Sequence, residues 1–480
     1  MMEKSLWSGA GLLLVAVAAA IPGMAAGAVT YPGEQWQTAT PEQLGMDAAI
    51  LAQARDYALA GEGSGMVIRH GKLVMQWGDP TRTYDLKSST KAVPHDTYWS
   101  WGLYDSVIVV IPSLDIVASR AGKSMSERRN PHYAPIEPFL SPIAQSGKDR
   151  GKWPGAPYPA SELIRAVEWA PVDTIVRRAE GSDNWPITWA DDDSQYAAYG
   201  DGWGFEPKSD RKLSLGLARI AGGPENFKGV NICSETVERA GDDKAGPKAS
   251  GMLCVDGILY MLVRNVGNSQ IAWSDDHGAN WSRCNWKFET GFGAPTFLNF
   301  GRDYDGARDS YVYIYSHDSD SAYVPADRMV LARVPLDRIR ERKAYEFLRS
   351  FDDVHRPVWI HNIHERDAVF VNPGRCYRSG ITYNPGLKRY LWCQVLPEST
   401  DTRGPRYQGG FGIYEAPEPW GPWHTVFYTE NWDVGPGETS SFPTKWMSPD
   451  GRTCHLVFSG NDSFSVRRAA LKATENPVPQ

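Results

Sequence analysis

From about Val176 onward, short apolar runs alternate with polar turns at near-regular intervals, the pattern of a chain built from strands. One unit recurs: an apolar stretch, a polar turn, then a short strand rich in aromatic and β-branched residues. It occurs at Trp185–Tyr199, Gly251–Val263, Thr296–Tyr315, Ser379–Gln394 and Phe442–Ser459. A further strand follows each copy, at Leu213–Ile220, Gln270–Trp273, Arg328–Val334, Gly410–Glu415 and Phe464–Leu471. Five copies within residues 176–472 predict a mainly β fold, a five-bladed β-propeller, because radially repeated four-stranded sheets leave only short edges. Residues 473–480 form a tail, and helix is expected only at Pro335–Arg349, as an insertion after the third blade.

One motif supports this independently. Ser274-Asp275-Asp276-His277-Gly278-Ala279-Asn280-Trp281 fits the Asp-box pattern Ser-x-Asp-x-Gly-x-x-Trp, which resembles a hairpin found in sialidase-type propellers. In such a hairpin the Asp satisfies turn amides, the Gly takes a positive φ and the Trp packs between sheets. Asp276 is therefore read as structural.

The chain before the repeats has a different character. Lys4, the apolar run Gly11–Ile21 and the small residues Ala26-Gly27-Ala28 make residues 1–28 a signal peptide, so a secreted or periplasmic location is expected. No later apolar run reaches the ~20 residues a membrane span requires. Residues 29–147 read as a small α/β module. Met46–Ala60 has helical periodicity, Ser64–Trp77 forms two strands around His70-Gly71, and Ser88-Ser89-Thr90-Lys91 follows.

A Ser-x-x-Lys turn places a hydroxyl and an amine on one helical face, where the Lys can activate the Ser. The run from Gln37 through Gly65-Met66-Val67-Ile68 and Trp77-Gly78-Asp79-Pro80 to Ser88 resembles the N-terminal part of β-lactamase-related serine hydrolases of the class C group. Trp99–Gly122 resembles the last strand pair and the start of the C-terminal helix of that fold. The long helical region that such a domain carries between the two, with its Tyr-x-Asn motif, has no counterpart between Lys91 and Trp99. Ser88 and Lys91 are accordingly read as a vestigial pair. The Pro-rich residues 148–175 read as a linker.

Composition narrows the function. A formal net charge of -7 argues against nucleic-acid binding, which needs a basic surface. The 19 Trp and 22 Tyr suit both β-cores and sugar stacking. The 6 Cys match neither a CxxC pair nor a zinc pattern, which leaves disulfides or buried thiols.

Blade geometry sorts the polar residues. The start of a blade's first strand and the end of its second meet on one face of the ring. Strand-one starts carry Asp183, Lys248, Arg375 with Tyr377, and Glu438. Strand-two ends carry Asp201, Arg264 with Asn265, His317 with Asp318, Gln394 and Asp462. Asp191, Asp192 and Asp193 fall in a turn at the opposite end, where Asp serves turn chemistry.

Glycoside cleavage needs one carboxylic acid and one nucleophilic or water-activating carboxylate. Asp183 and Asp201 are the preferred catalytic pair, with Glu438 the third candidate. Lys248, Arg264, His317, Asp318, Arg375, Tyr377 and Arg378 are the candidate substrate-binding residues. Of these, Arg375, Arg378 and Lys248 suit a sugar carboxylate or sulfate. No cofactor is called for. Asp318 and Asp320 offer oxygen atoms of the kind Ca²⁺ takes, though Asp-rich turns are commoner without metal.

The second half also resembles a secreted propeller family of environmental bacteria. The resemblance rests on Ala190-Asp191-Asp192-Asp193, Tyr199-Gly200-Asp201-Gly202-Trp203-Gly204, Tyr315-Ser316-His317-Asp318-Ser319-Asp320, Gly374-Arg375-Cys376-Tyr377-Arg378 and Pro436-Gly437-Glu438-Thr439. It implies a relation to five-bladed glycosidases and hence a polysaccharide or oligosaccharide substrate. Three alternatives stay open: a polysaccharide lyase using His317, Tyr377 and Arg375, a non-catalytic glycan- or protein-binding propeller, and an acyl hydrolase working through Ser88.

Overall fold

Apolar–polar alternation in residues 63–122 produces a sheet in the first of two compact units, which comprise residues 1–91 with 97–147 and residues 92–96 with 148–480. In the computed structural model the described residues are 36–59, 63–79, 98–101, 107–111, 116–122, 139, 142–143, 153 and 155–474, apart from 243, 245, 353–355 and 398–408. The first unit holds a five-stranded antiparallel sheet in the order Lys72–Trp77, Gly63–Arg69, Ile116–Gly122, Val107–Ile111, Tyr98–Trp101. Helix Ala48–Leu59 starts where Asp47 Oδ1 accepts from the amides of Ala49 (3.0 Å) and Ile50 (3.1 Å), an N-terminal cap. It buries Leu51, Ala54 and Ala58 at helical spacing, in one core with Val67, Val109 and Ile116. The helix start expected at the end of Trp99–Gly122 is instead a strand. Ile116, Ala118 and Arg120 are buried while Val117 and Ser119 are half-buried, a period of two. Ser88 and Lys91 lie outside the described residues.

The second unit is mainly β, with five successive antiparallel strand groups, numbered here as sheets; the third and fourth join through one parallel pairing into a single ten-stranded sheet. Sheet one comprises Ile187–Trp189, Gln195–Tyr199, Leu213–Ala221 and Lys228–Asn231, and sheet two comprises Lys248–Val255, Ile258–Arg264, Gln270–Ser274 and Ser282–Arg283. Sheet three runs Thr296–Asn299, Tyr311–His317, Ala326–Pro335, Glu346–Phe351 and Pro357–Ile360, with Ala368–Cys376 also paired to its third strand. Sheet four comprises Ser379–Asn384, Arg389–Leu396, Gly410–Ala416 and His424–Thr429. Sheet five has Ser440–Ser441, Thr453–Phe458 and Phe464–Ala473.

Sheet five takes its remaining strands from the segment read as a linker. Ile164–Trp169 and Val176–Arg178 both pair antiparallel with Phe464–Ala473. Residues just before them are also bound: Ser161 Oγ donates to the buried Glu415 (2.7 Å), and Ser161 N donates to Thr425 O (2.8 Å). Flanking prolines gave the segment its linker composition, whereas its partners lie about three hundred residues away, as in Ala469↔Trp169. The helix expected at Pro335–Arg349 is likewise absent. Two short 3₁₀ turns, Leu336–Arg338 and Arg342–Ala344, lead into strand Glu346–Phe351.

Each sheet is tied to the next. Asn184 Nδ2 donates to Ala249 O (2.5 Å), and Asn299 Nδ2 donates to Met252 O (3.1 Å). Leu298 and Asn299 pair in parallel with Ile381 and Thr382, and Asn384 Nδ2 donates to Gly451 O (2.9 Å). Sheet five returns to sheet one, where Asp462 O accepts from Gly181 N (2.7 Å) and Ser182 N (3.0 Å). One narrow cavity meets all five inner strand segments. Its lining includes Ile187, Met252, Phe297, Ile381 and Ser440.

Apolar side chains fill the spaces between sheets. Trp392, for instance, meets Tyr315 at 4.9 Å, Trp423 at 4.8 Å and Phe370 at 5.3 Å between ring centroids. The Asp-box closes a hairpin of sheet two. Asp276 Oδ1 accepts from Ser274 Oγ and Asn280 N (both 2.8 Å), Gly278 takes φ 91°, and Trp281 is buried. All six cysteines are unbridged, with Cys233 exposed and the others buried.

Where inner strands converge, there is room only for glycine. A Cβ on Gly251 would stand 3.1 Å from Phe297 N, and one on Gly380 would collide with Ser440 O. Gly380→Ala is expected to destabilise the second unit by roughly 1–3 kcal/mol, since a backbone carbonyl cannot rotate away. Urea unfolding of the full chain measures this, and an unchanged midpoint would show that the strands separate freely.

Candidate functional site

Three of the second strands end on an Asp or Asn with positive φ. Asp201 (47°), Asn265 (61°) and Asp462 (46°) follow the second strands of sheets one, two and five, respectively. Short polar side chains tolerate this conformation because they hydrogen-bond locally. At the same end, the chain entering sheet one is held by two backbone hydrogen bonds, Asp183 N to Gly200 O (2.9 Å) and Gly200 N to Asp183 O (2.8 Å). Asp183 and Asp201 are thereby brought to one mouth.

The other residues of the mouth follow from pairing. Lys248 Nζ forms an ion pair with Asp201, and both side chains are nearly inaccessible. Lys248 lies opposite Arg264 in the register of sheet two. Arg378 forms an ion pair with Glu438, whose amide donates to Ser459 Oγ (2.6 Å). Asp183, Lys248, Arg264 and Arg378 are each 3% exposed or less, while Asp201 and Glu438 are 7% exposed. Charges this deep are strongly coupled to their neighbours.

Electrostatics joins the two sides. Burial first, and then the neighbouring Arg264 guanidinium, push Arg378 down to about 10, so it remains charged at neutral pH; Asp183 acts in the opposite sense. His317 is fully buried, and its Nε2 lies 2.8 Å from Ser321 O. Its Nδ1 has no hydrogen-bond partner, and its ring centroid is 5.9 Å from that of Tyr377. Burial, reinforced by Arg378 and Arg264, pushes His317 down to about 4, against the Ser321 carbonyl and Asp318. The imidazole is therefore neutral above mildly acidic pH.

This carries a stability consequence. His317 binds a proton less readily when folded than when unfolded. Its contribution is complete above pH 6.5 and is lost as the pH falls toward 4. The expected loss is on the order of 1 kcal/mol per pH unit in that window, and His317→Gln should flatten it. Urea midpoints measured at pH 7.5 and pH 4.5 would test this, and equal slopes in both proteins would contradict it.

Not every candidate joins the mouth. Arg375 pairs with Glu430 instead, and Tyr428 lies beside that pair. Asp318 is held by Arg328 (2.7 Å) and Arg366, which occupies the carboxylate with two guanidiniums. Asp320 accepts from Gly291 N (2.6 Å). Asp192 accepts from Ser194 N and Tyr196 OH (both 2.9 Å), Asp193 pairs with Lys445 (2.5 Å), and Asp191 meets His277 (2.8 Å). Asp191, Asp192 and His277 place one potential ligand atom each within 4.8 Å of one another; Asp192 serves its own turn, and Asp191 ties that turn to His277 of the Asp-box.

Tyr323 was missed by the sequence reading. Its ring lies 5.5 Å from the Arg264 guanidinium and 5.0 Å from that of Arg378, and its hydroxyl accepts from Asn265 Nδ2 (2.8 Å). The available signal was an aromatic residue in the otherwise small and polar stretch Asp318-Ser319-Asp320-Ser321-Ala322-Tyr323.

No family model matches the chain, and no curated protein matches it. Solved structures do. A GH43_1 enzyme from Xanthomonas citri aligns at 13% identity over 65% of this chain and 93% of that one, with a TM-score of 0.36. A glycosyl hydrolase from Bacteroides ovatus aligns at 14% identity over 66% and 96%, with a TM-score of 0.35. A GH43 β-xylosidase/α-arabinofuranosidase from a compost microbial metagenome aligns at 12% identity over 62% and 94%, with a TM-score of 0.34.

Proposed function

We propose that the second unit is a closed five-bladed β-propeller that hydrolyses glycosidic bonds of an extracellular polysaccharide at the mouth holding Asp183 and Asp201. The ring of inter-sheet ties and the cavity shared by all five inner segments support the closed arrangement. The observation that carries the chemistry is the setting of Lys248. Its Nζ meets the Asp201 carboxylate, while Asp183 Oδ1 and Lys248 Nζ stand 3.1 Å and 3.6 Å from the same point, a notional Cβ on Gly200.

Two carboxylates flanking one cation at a channel mouth can divide the work of glycoside hydrolysis. Asp183 delivers a proton to the departing glycosidic oxygen. Asp201 either takes a proton from the attacking water or itself attacks the anomeric carbon. Glu438, held by Arg378, is the third carboxylate of the mouth and completes the acid set. A leader at residues 1–28 would carry the enzyme out of the cytoplasm to its polymer. The first unit, with Ser88 and Lys91, is read as the remnant of a serine-hydrolase fold and contributes no chemistry.

A lyase reading also has an observation in its favour: the neutral, fully buried His317 with an unpartnered Nδ1 close to Tyr377. Arg375, the neutralising group it first called on, is engaged with Glu430, so Arg378 would have to replace it. Incubating the full chain with plant, algal and bacterial polysaccharides tests the hydrolytic reading. New reducing ends without near-ultraviolet absorbance support it, and absence of new ends from every polymer contradicts it.

A further inference from the structure

Three buried cations, Lys248, Arg264 and Arg378, meet at this mouth, with Lys248 opposite Arg264 across neighbouring strands. Asp201 forms an ion pair with Lys248, and Glu438 forms one with Arg378. Arg264 is the residue this leaves unmatched. It is 1% exposed, its Nε and Nη1 have no hydrogen-bond partner, and among the described residues no carboxylate forms an ion pair with it. A buried guanidinium with open N–H groups is costly unless an anion completes it.

Aromatic rings cover these cations, with Tyr377 4.8 Å from the Arg378 guanidinium. The Tyr323 ring lies over both guanidiniums and is held at its hydroxyl by Asn265. On an exposed position near the same ring stands Lys244, its Nζ 5.6 Å from the centroid. Tyr323 sits in the connection between strands Tyr311–His317 and Ala326–Pro335, next to Val324, which is 55% exposed. An aromatic face is a weak substitute for an anion, because it offers charge–quadrupole attraction but no acceptor oxygens.

We propose that Arg264 and Arg378, beneath Tyr323, bind the anionic group of the sugar, so that the substrate is an acidic polysaccharide bearing uronic acid carboxylates or sulfate esters. The planar guanidinium fork matches two anionic oxygens side by side. Asp183 and Asp201 then lie beside this anion subsite, where the glycosidic bond is processed. The inference rests on the reading that this mouth binds sugar.

Titration calorimetry on the full chain tests it without requiring turnover. The probes are methyl glycosides of glucuronate and galacturonate, their neutral glucose and galactose counterparts, and the galactoside 6-sulfate. Wild type should bind at least one anionic glycoside roughly ten- to hundredfold more tightly than its neutral partner. Arg264→Gln should bring the ratio of anionic to neutral affinity close to one, and Arg264→Lys should restore only part of it. The tighter of the uronate and the sulfate identifies the anion. Equal affinity for charged and neutral sugars in wild type would overturn the proposal, as would an undiminished advantage in a folded R264Q. If R264Q does not fold, the wild-type comparison alone decides. Acidic sugar bound but never cleaved would uphold the subsite and remove the hydrolytic reading. A neutral polymer cleaved with no preference for acid would do the reverse.

Discussion

Asp183→Asn is expected to lower polysaccharide hydrolysis by about 10²–10⁴-fold, the usual contribution of a positioned proton donor. The substitution keeps the shape of the side chain and removes only its capacity to give up a proton. Both backbone hydrogen bonds between Asp183 and Gly200 are made by main-chain atoms, so the strand entry should persist. Asp201→Asn should produce a loss of the same order, and Glu438→Gln should too if the third carboxylate takes part directly. Steady-state rates on the responsive polymer, with unfolding midpoints as a control for folding, check all three. A retained rate in D183N would exclude Asp183 from proton transfer.

The second large effect concerns stability. Lys248→Met should destabilise the second unit by about 3–5 kcal/mol, the cost of breaking a buried ion pair from one side. The reason is geometric: the Lys248 and Asp201 side chains are 3% and 5% accessible, so water cannot replace the lost ammonium. Removing both charges should be milder. The double variant Lys248→Met with Asp201→Leu is expected to be less destabilised than the sum of its single changes, because no uncompensated charge stays buried. Denaturant unfolding of the four proteins gives the coupling directly. Strict additivity would mean that the pair does not interact.

The grouping of these polar residues was legible because strand polarity is a simple rule. Once the repeats were aligned, the ends of first and second strands were expected to share a face, which grouped Asp183, Asp201, Lys248, Arg264 and Glu438; of these, Lys248 meets Asp201 and lies opposite Arg264. The same rule set Asp191–Asp193 at the other end, where they satisfy turn amides and neighbouring side chains. It failed for Arg375 and Asp318. Arg375 was set with Tyr377 at the start of a first strand, but it belongs to the extra strand Ala368–Cys376, which pairs with sheet three, and Asp318 is taken up by Arg328 and Arg366.

Features that depend on long-range pairing were hidden for a related reason. Ile164–Trp169 finds its partner strand at the far end of the chain, so its local, proline-flanked composition carried no trace of that pairing. Ile116–Gly122 is a strand because it is sandwiched between Gly63–Arg69 and Val107–Ile111, a tertiary placement that outweighs a helical expectation taken from family resemblance. Tyr323 was overlooked because aromatic residues in loops usually pack wherever a gap exists. Its significance comes only from the two guanidiniums beneath it.

Product analysis by proton NMR, on the polymer that responds to the wild-type chain, bears most directly on the role of the Asp183–Asp201 mouth. Hydrolysis by the carboxylate pair should yield saturated oligosaccharides with new reducing ends, and no olefinic proton should appear during the reaction. Products carrying an unsaturated terminal sugar would contradict it and transfer the chemistry to His317 and Tyr377.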